Sequence, residues 1–244
     1  EEEISFEDFN EYLYARHAVE RNAEIAQIDP ANTEGSGMSD ADAQAILARV
    51  AASGRQASFD AVAGAVDDIV AHNRNLIERE GLEHRSTLMR WAGAYQHYVP
   101  LMGAETVESD QMHNTGQGFD TRRPESRRAL GRFNRADDIL ANLMAQTMRT
   151  IIRAEKNRVG KTFLRFAQAN PSPLWKFGLA EQRRQINPST GLLETVWITS
   201  NADADNVFAA KVAGQTYYIR IEHDGLLTAL KNLGMEQLGW FGRK

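Results

Sequence analysis

The chain has 244 residues, of which 42% are hydrophobic and 25% are charged, and its formal net charge is −5. This composition is typical of a globular protein. Cysteine is absent, which excludes disulfides and thiolate metal sites in this chain. No run approaches the roughly 18 consecutive apolar residues that indicate a membrane-spanning helix, so we expect no membrane span in it.

The charge is distributed unevenly. Residues 1–110 carry a large excess of acidic side chains, whereas residues 111–190 carry an excess of basic ones. A basic segment can form a surface for a polyanion. The basic segment can instead face an acidic segment within one fold. This second interpretation is favoured, because the chain as a whole is acidic.

An N-terminal helical region is predicted over residues 1–100. Apolar residues recur at helical spacing over 5–27, 40–53, 59–80 and 86–96. Ser5 and Ser39 can cap the free N–H groups of the first turn in the first two helices, and Ser58 and Ser86 mark the starts of the third and fourth. Gly54 and Gly81 stand where the second and third helices should end.

Residues 101–133 lack periodicity and are predicted to be an irregular connecting segment. An irregular stretch of this length inside a compact domain is uncommon and is often functional, disordered or wrapped over a partner. A long central helix is then predicted from Asn134 to Asn170. Its apolar positions should face a core; they are Leu140, Leu143, Met144, Met148, Ile151, Ile152, Val159, Phe163 and Phe166. Pro171 and Pro173 follow, so we assign residues 134–178 to this helix and a rigid connector.

Residues 179–244 should form a small antiparallel sheet and one helix. Strands are predicted over 193–199, 207–212 and 216–222, and a helix over 225–233. Because helices and strands segregate along the chain, the predicted class is α+β, predominantly α. We expect a helical bundle around the central helix with a three-stranded sheet near the C-terminus, in one integrated domain.

No familiar catalytic or cofactor motif is present. The chain has no phosphate-binding loop, no dinucleotide fingerprint, no nucleophile elbow and no HExxH sequence. Its six histidines contain no i, i+4 pair that would hold a metal on a helix. His97, between two tyrosines, is interpreted as a packed or solvent-tipped histidine rather than a catalytic base. We therefore predict no enzyme activity, no cofactor and no metal.

A cluster of arginines is the strongest chemical candidate. Arginine forks bind phosphate or carboxylate in a bidentate manner, and this cluster runs into the start of the central helix. A helix N-terminus favours anions. The cluster is a candidate nucleic-acid or anion site, or else a partner for the acidic N-terminal helices; its members are Arg122, Arg123, Arg127, Arg128, Arg132 and Arg135.

Several stretches together resemble one family. They are YQHYVPLMG (95–103), GFDTRRPESRRALGR (118–132), ADDILANLMAQ (136–146), RAEKNRVGKTFL (153–164), PLWKFG (173–178) and YYIRIEHDGLLTALKNLG (217–234). In this order they are similar to the PLxRFG-type conserved domain of large polyvalent phage proteins. Lys176 stands where that motif has arginine, which preserves the charge. The resemblance covers about residues 84–234.

The resemblance implies a biological class rather than a reaction. Proteins of this family are very long, are encoded by phages or mobile elements, and are packaged in the virion and delivered with the DNA. Their enzymatic modules lie elsewhere in the polypeptide, and no catalytic residues carry over to this chain. We also expect both ends of the chain to be cut from something longer.

The sequence leads to one main hypothesis and two alternatives. The main one is a non-enzymatic structural or interaction domain of an internal virion or ejection protein, located in the virion and then in the host periplasm or cytoplasm. Its partners would be other regions of the same polypeptide, other virion proteins or further copies of itself. The alternatives are a nucleic-acid-binding module acting on incoming phage DNA, and an enzyme with an unrecognised site.

Overall fold

The computed structural model describes residues 4–102, 118–122, 125, 132, 134–136, 138–179, 181–186, 193–198 and 204–232, with the backbone alone over 181–186 and 193–198. The helices are α1 Phe6–Ile28, α2 Asp40–Ala52, α3 Gln56–Arg79, α4 Arg85–Ala94, α5 Ile139–Ala169 and α6 Asp224–Lys231. The strands are β1 Trp175–Leu179, β2 Glu181–Ile186, β3 Leu193–Ile198, β4 Val207–Val212 and β5 Gln215–Ile221. The predicted class, α+β and predominantly α, is confirmed.

The chain divides into two compact units, each assembled from separate segments. The first comprises Glu1–Leu76, Arg85–Asn114 and Ser126–Ile151. The second comprises Ile77–His84, Thr115–Glu125 and Ile152–Lys244. These boundaries do not follow the four consecutive regions predicted from the sequence, because α3 and α5 each contribute residues to both units.

The core of the first unit is built on α1. Phe9, Tyr12 and Leu13 of this helix are buried, and the ring of Phe59 from α3 meets that of Tyr12 edge-on at 5.1 Å. Capping is confirmed at Ser5, whose hydroxyl accepts a hydrogen bond from the Asp8 N–H at 3.1 Å, and at Ser39 of α2. Ser58 and Ser86 lie inside α3 and α4 instead, because these helices begin at Gln56 and Arg85. Residues at the start of α5, among them Leu143, complete this core.

Helix α5 is a single helix of 31 residues, which corresponds to about 46 Å at 1.5 Å per residue. It begins at Ile139 rather than near Asn134, where the sequence predicted its start. The reason is that Asp138 caps it: the Ala141 N–H donates to Asp138 Oδ1 at 3.0 Å. The Asn134 carbonyl accepts from the Arg132 side chain instead.

The predicted orientation of α5 is wrong for much of its length. Five of the apolar residues expected to face a core are exposed: Met144, Met148, Ile151, Val159 and Phe166. The buried positions hold Ile139, Leu143 and Leu164 together with polar and small residues: Asn142, Thr150, Arg153, Ala154, Asn157, Gly160 and Ala167. A hydrophobicity pattern could not predict this, because the buried polar side chains of α5 bind backbone groups of neighbouring segments.

The second unit contains an antiparallel sheet with strand order β1-β5-β4. Strands β4 and β5 match the prediction to within a residue and are joined by Ala213 and Gly214, both with positive φ, as a tight hairpin loop requires. The prediction that residues 193–199 form the third strand of this sheet is wrong. These residues form β3, which pairs with β2 in a separate two-stranded sheet. The third strand of the three-stranded sheet is β1, from the segment predicted to be a connector.

Helix α5 approaches the sheet of the second unit closely. A Cβ added at Gly160 would stand 3.1 Å from the Ala210 Cβ and 3.2 Å from the Phe119 ring. Phe119 in turn stacks on Phe208 with ring centroids 4.7 Å apart. The small residues Gly160 and Ala210 therefore bring the helix backbone close enough to β4 for polar side chains to reach the strand.

Candidate functional site

Half of the predicted arginine cluster lies within the described residues. Arg122 belongs to the second unit, where its Nε donates to Asp120 Oδ2 at 2.5 Å and its Nη2 donates to the Val207 carbonyl at 2.6 Å. Arg123, Arg127 and Arg128 lie outside the described residues. The guanidinium of Arg122 is thus engaged with strand β4.

Arg132 and Arg135 belong to the first unit. Arg132 Nη2 donates to the carbonyl of Arg135 at 2.8 Å, and its Nη1 is buried without a hydrogen-bond partner among the described residues. Arg135 Nη2 contacts Glu11 Oε1 at 3.0 Å, and its guanidinium lies 5.7 Å from the Tyr14 ring centroid. The Arg135–Glu11 pair agrees with the interpretation in which the basic segment faces the acidic helices; phosphate binding stays a prediction.

The outer edge of strand β4 is covered by the segment that contains Arg122. The Thr121 N–H donates to the Ala209 carbonyl at 3.1 Å, and the Ala209 N–H donates to Asp120 Oδ1 at 3.0 Å. The Thr121 hydroxyl adds a bond to the same carbonyl at 2.9 Å, and Arg122 takes the carbonyl of Val207. These three residues therefore act in place of a neighbouring strand.

Asn157 of α5 completes this cover. Its Oδ1 accepts from the Lys211 N–H at 2.7 Å, and its Nδ2 donates to the Lys211 carbonyl at 2.8 Å and to the Glu80 carbonyl at 2.7 Å. Its Oδ1 also accepts from the Thr121 hydroxyl at 3.2 Å. One fully buried amide thus joins three segments of the second unit.

A buried charge cluster supports the same strand. Glu125, whose side chain is 4% exposed, pairs with Arg153 at 2.5 Å and with Lys211 Nζ at 3.2 Å. Arg153 Nη2 also donates to the Thr121 carbonyl at 3.3 Å. Burial lowers the pKa of the Lys211 ammonium, and the carboxylate of Glu125 offsets only part of that effect.

A second buried carboxylate holds the end of α3 to α5. Glu80 Oε1 pairs with Arg158 at 2.8 Å, and its Oε2 pairs with Lys161 at 3.0 Å. The hydrogen bond from Arg158, helped by that from Lys161, lowers the pKa of Glu80 to about 2, against the opposing effect of burial. This unusually acidic carboxyl group is therefore a structural ion-pair partner.

Strand β1, at the opposite edge of the sheet, has no such cover among the described residues. The Glu222 N–H donates to the Leu174 carbonyl at 2.8 Å. Because bonded and non-bonded pairs alternate in an antiparallel ladder, the backbone groups of Trp175, Phe177 and Leu179 then point away from β5. The side chains of Phe177 and Leu179 are 43% and 54% exposed.

The first unit has an exposed apolar patch of its own on α5. Met144, Met148 and Ile151 are 70%, 56% and 41% exposed. Their spacing of four and then three residues places them on one face of the helix. Such a patch can bind another apolar surface, and methionine adapts readily to varied partners.

The first unit also contains a buried histidine. His17 lies between Tyr95 and Tyr98, with ring centroids at 5.0 and 5.4 Å, and its burial lowers its pKa. His97 belongs to the same unit: its backbone N–H donates to Glu20 Oε2 at 3.2 Å, and its ring Nδ1 lies 3.3 Å from Asp67 Oδ2. The His97 side chain is 31% exposed and has a polar partner in Asp67, which agrees with interpreting it as a packed or solvent-tipped residue.

The sequence did not single out the residues that cover β4. Asp120 and Thr121 stand beside the arginines but were not assigned a role, and Asn157 was interpreted only as part of a helix. The available signal is their spacing: Arg153 and Asn157 lie four residues apart and so share one face of the helix, although exposed polar residues such as Glu155 surround them in the sequence. Polar residues at such positions indicate buried hydrogen bonds as readily as an exposed face.

Within the described residues, no helix is long and apolar enough to cross a membrane, and no group of three or more His, Cys, Asp or Glu side chains is placed to hold a metal ion. Comparison with known proteins adds nothing to this geometry. No protein-family model, curated protein or solved structure matches the chain.

Proposed function

We propose that the chain is a non-enzymatic structural and interaction domain of a large phage-encoded protein, an internal virion or ejection protein delivered with the genome. The phage assignment is supported by the PLxRFG-type stretches. The interaction role is carried by one observation, the exposed apolar patch formed by Met144, Met148 and Ile151 on α5. The partner is a helix of another virion protein.

The physical reason lies in what the chain leaves uncovered. Large apolar side chains on one helix face gain about 25 cal/mol for each Å² removed from water. Contiguous exposed apolar surface marks interaction sites in monomeric proteins. Residues spaced i, i+4 and i+7 present the pattern by which one helix packs on another, which favours a helical partner over an extended one.

The paired guanidinium groups favour this proposal over a nucleic-acid-binding module. Arg122 is engaged by Asp120 and β4, and Arg135 by Glu11 and the Tyr14 ring. A phosphate-binding cluster needs such groups free to face the backbone of DNA. The buried ion pairs of Glu80 and Glu125 likewise have structural roles that require no catalysis.

The proposal is tested in particles of the encoding phage. Mass spectrometry of purified virions should detect the wild-type protein, and a Met144→Glu, Met148→Glu double variant should be packaged at least tenfold less. Ala48→Glu, at an exposed position of α2, is the matched control and should be packaged normally. Absence of the wild-type protein from virions, or equal packaging of the double variant, would overturn the proposal.

A further inference from the structure

The two edges of the three-stranded sheet differ in what covers them. On β4, the outward N–H and C=O groups of Ala209 and Lys211 are all bonded, by Asp120, Thr121 and Asn157. On β1, no described residue bonds to the outward groups of residues 175, 177 and 179. An open strand edge is a template for pairing with another strand.

The open edge carries apolar side chains on one face. Trp175 lies directly opposite Ile221 of β5, and Phe177 lies opposite Ile219. Alternate residues of a strand share a face, so Leu179 lies on this face as well. Ile219 and Ile221 are core residues. The apolar core face of the sheet therefore continues to its edge and is exposed there at Phe177 and Leu179.

The sequence of β1 is complementary to itself. In an antiparallel pair centred on Phe177, the Phe177 rings of two copies lie opposite each other, and Trp175 lies opposite Leu179. On the other face Lys176 lies opposite Gly178, so no like charges meet. The outward backbone groups are on residues 175, 177 and 179, which are the ones that such a pair must bond. Apolar and aromatic cross-strand pairs of this kind stabilise sheets.

The covered edge of β4 limits such an assembly to two chains. If both edges were open, sheet pairing would continue from copy to copy without an end. Here pairing through β1 uses up the only kind of free edge that the described three-stranded sheet offers. The assembly would be a closed six-stranded sheet with two-fold symmetry, in the order β4-β5-β1-β1-β5-β4.

We propose that the occupant of the β1 edge is a second copy of this chain, bound through antiparallel β1–β1 pairing centred on Phe177. This inference uses a surface in the second unit and does not depend on the α5 patch of the first unit. It therefore holds or fails independently of the virion role proposed above.

Sedimentation equilibrium of the full 244-residue chain tests the proposal. The wild type should show a concentration-dependent monomer–dimer equilibrium. Phe177→Lys should weaken dimerisation at least tenfold, since it places two ammonium groups opposite each other across the two-fold axis, and Phe177→Glu should do the same with two carboxylates. An equimolar mixture of the two variants should restore dimers, because the introduced ammonium group of one chain then faces the introduced carboxylate of the other.

Met89→Lys is the matched control, because Met89 is an exposed apolar residue of α4 in the first unit. It should leave the dimer unchanged, and all variants should keep the wild-type thermal midpoint within a few degrees. A wild-type chain that is monomeric at every concentration would overturn the proposal and leave the β1 edge to an extended segment of a different protein. Failure of the mixed charge variants to associate would overturn the register centred on Phe177.

Discussion

Strands β4 and β1 are the two edges of one small sheet, yet their surroundings differ completely. The outward backbone groups of β4 are bonded by side chains of residues 120–122, by the backbone N–H of Thr121, and by the side chain of Asn157 from α5. Those of β1 have no described partner, and Phe177 and Leu179 beside them are exposed. An edge of this sheet is therefore closed by particular side chains that replace a strand, and not by the strand's own sequence.

The largest expected effect comes from removing the charge behind the covered edge. Glu125→Gln would leave Arg153 and Lys211 buried without their carboxylate. Removing one partner of a buried ion pair costs about 3–5 kcal/mol, so we expect that loss in the free energy of unfolding measured with urea. Glu155→Gln, at an exposed position on the same helix as Arg153, should change it by less than about 1 kcal/mol; equal effects would contradict the role of Glu125.

A more direct way to open the β4 edge is Asn157→Leu. This change keeps the side-chain volume but removes the bonds of Asn157 to the N–H and C=O of Lys211, and it leaves the carbonyl of Glu80 with Lys161 Nζ as its donor. Each buried unsatisfied group costs about 1–3 kcal/mol, so we expect a stability lower by about 3 kcal/mol in urea unfolding. Asn170→Ala removes one exposed bond and is the control. A variant as stable as wild type would show that Asn157 is not part of the cover.

The pH dependence of stability should distinguish the ion pair beside this cover. The folded-state pKa of Glu80 is lowered to about 2, below its unfolded value of 4.5. Its contribution is therefore fully present above about pH 4.5 and is lost as the pH falls towards 2. Urea unfolding across this acid range should show a steeper loss of stability in wild type than in Glu80→Gln. Parallel curves would contradict a contribution of the Glu80 ion pairs to stability.

The smallest effect is expected at the open edge. Trp175 has a buried Nε1–H without a partner among the described residues. Trp175→Phe removes this unsatisfied donor but also some contact with Phe163 and Phe166. We expect the two to offset to within about 1 kcal/mol in thermal or urea unfolding. A loss of several kcal/mol would indicate that the indole N–H is hydrogen-bonded after all.

The positions of several helices and strands could be predicted from the sequence, but their pairing and packing partners could not. Serine caps and apolar periodicity placed α1 and α2 to within about one residue, because these signals are local. Strand β1 was missed because its neighbouring prolines and exposed positions resemble a connector, and its partner β5 is distant in the chain. The buried and exposed faces of α5 were also predicted wrongly: Met148 is exposed and Asn157 is buried. Which face is buried depends on contacts with distant segments, and no local pattern contains them.

The cover of β4 also constrains when the second unit can form. Thr121 and its partner Ala209 are 88 residues apart in the chain. At a ribosomal rate of about 5–20 residues per second, roughly 4–18 s separate their synthesis. Until then Asp120, Thr121 and Arg122 have no strand to bind, so their hydrogen-bonding groups face water during translation. Co-translational folding of this unit must therefore wait until β4 has left the ribosome.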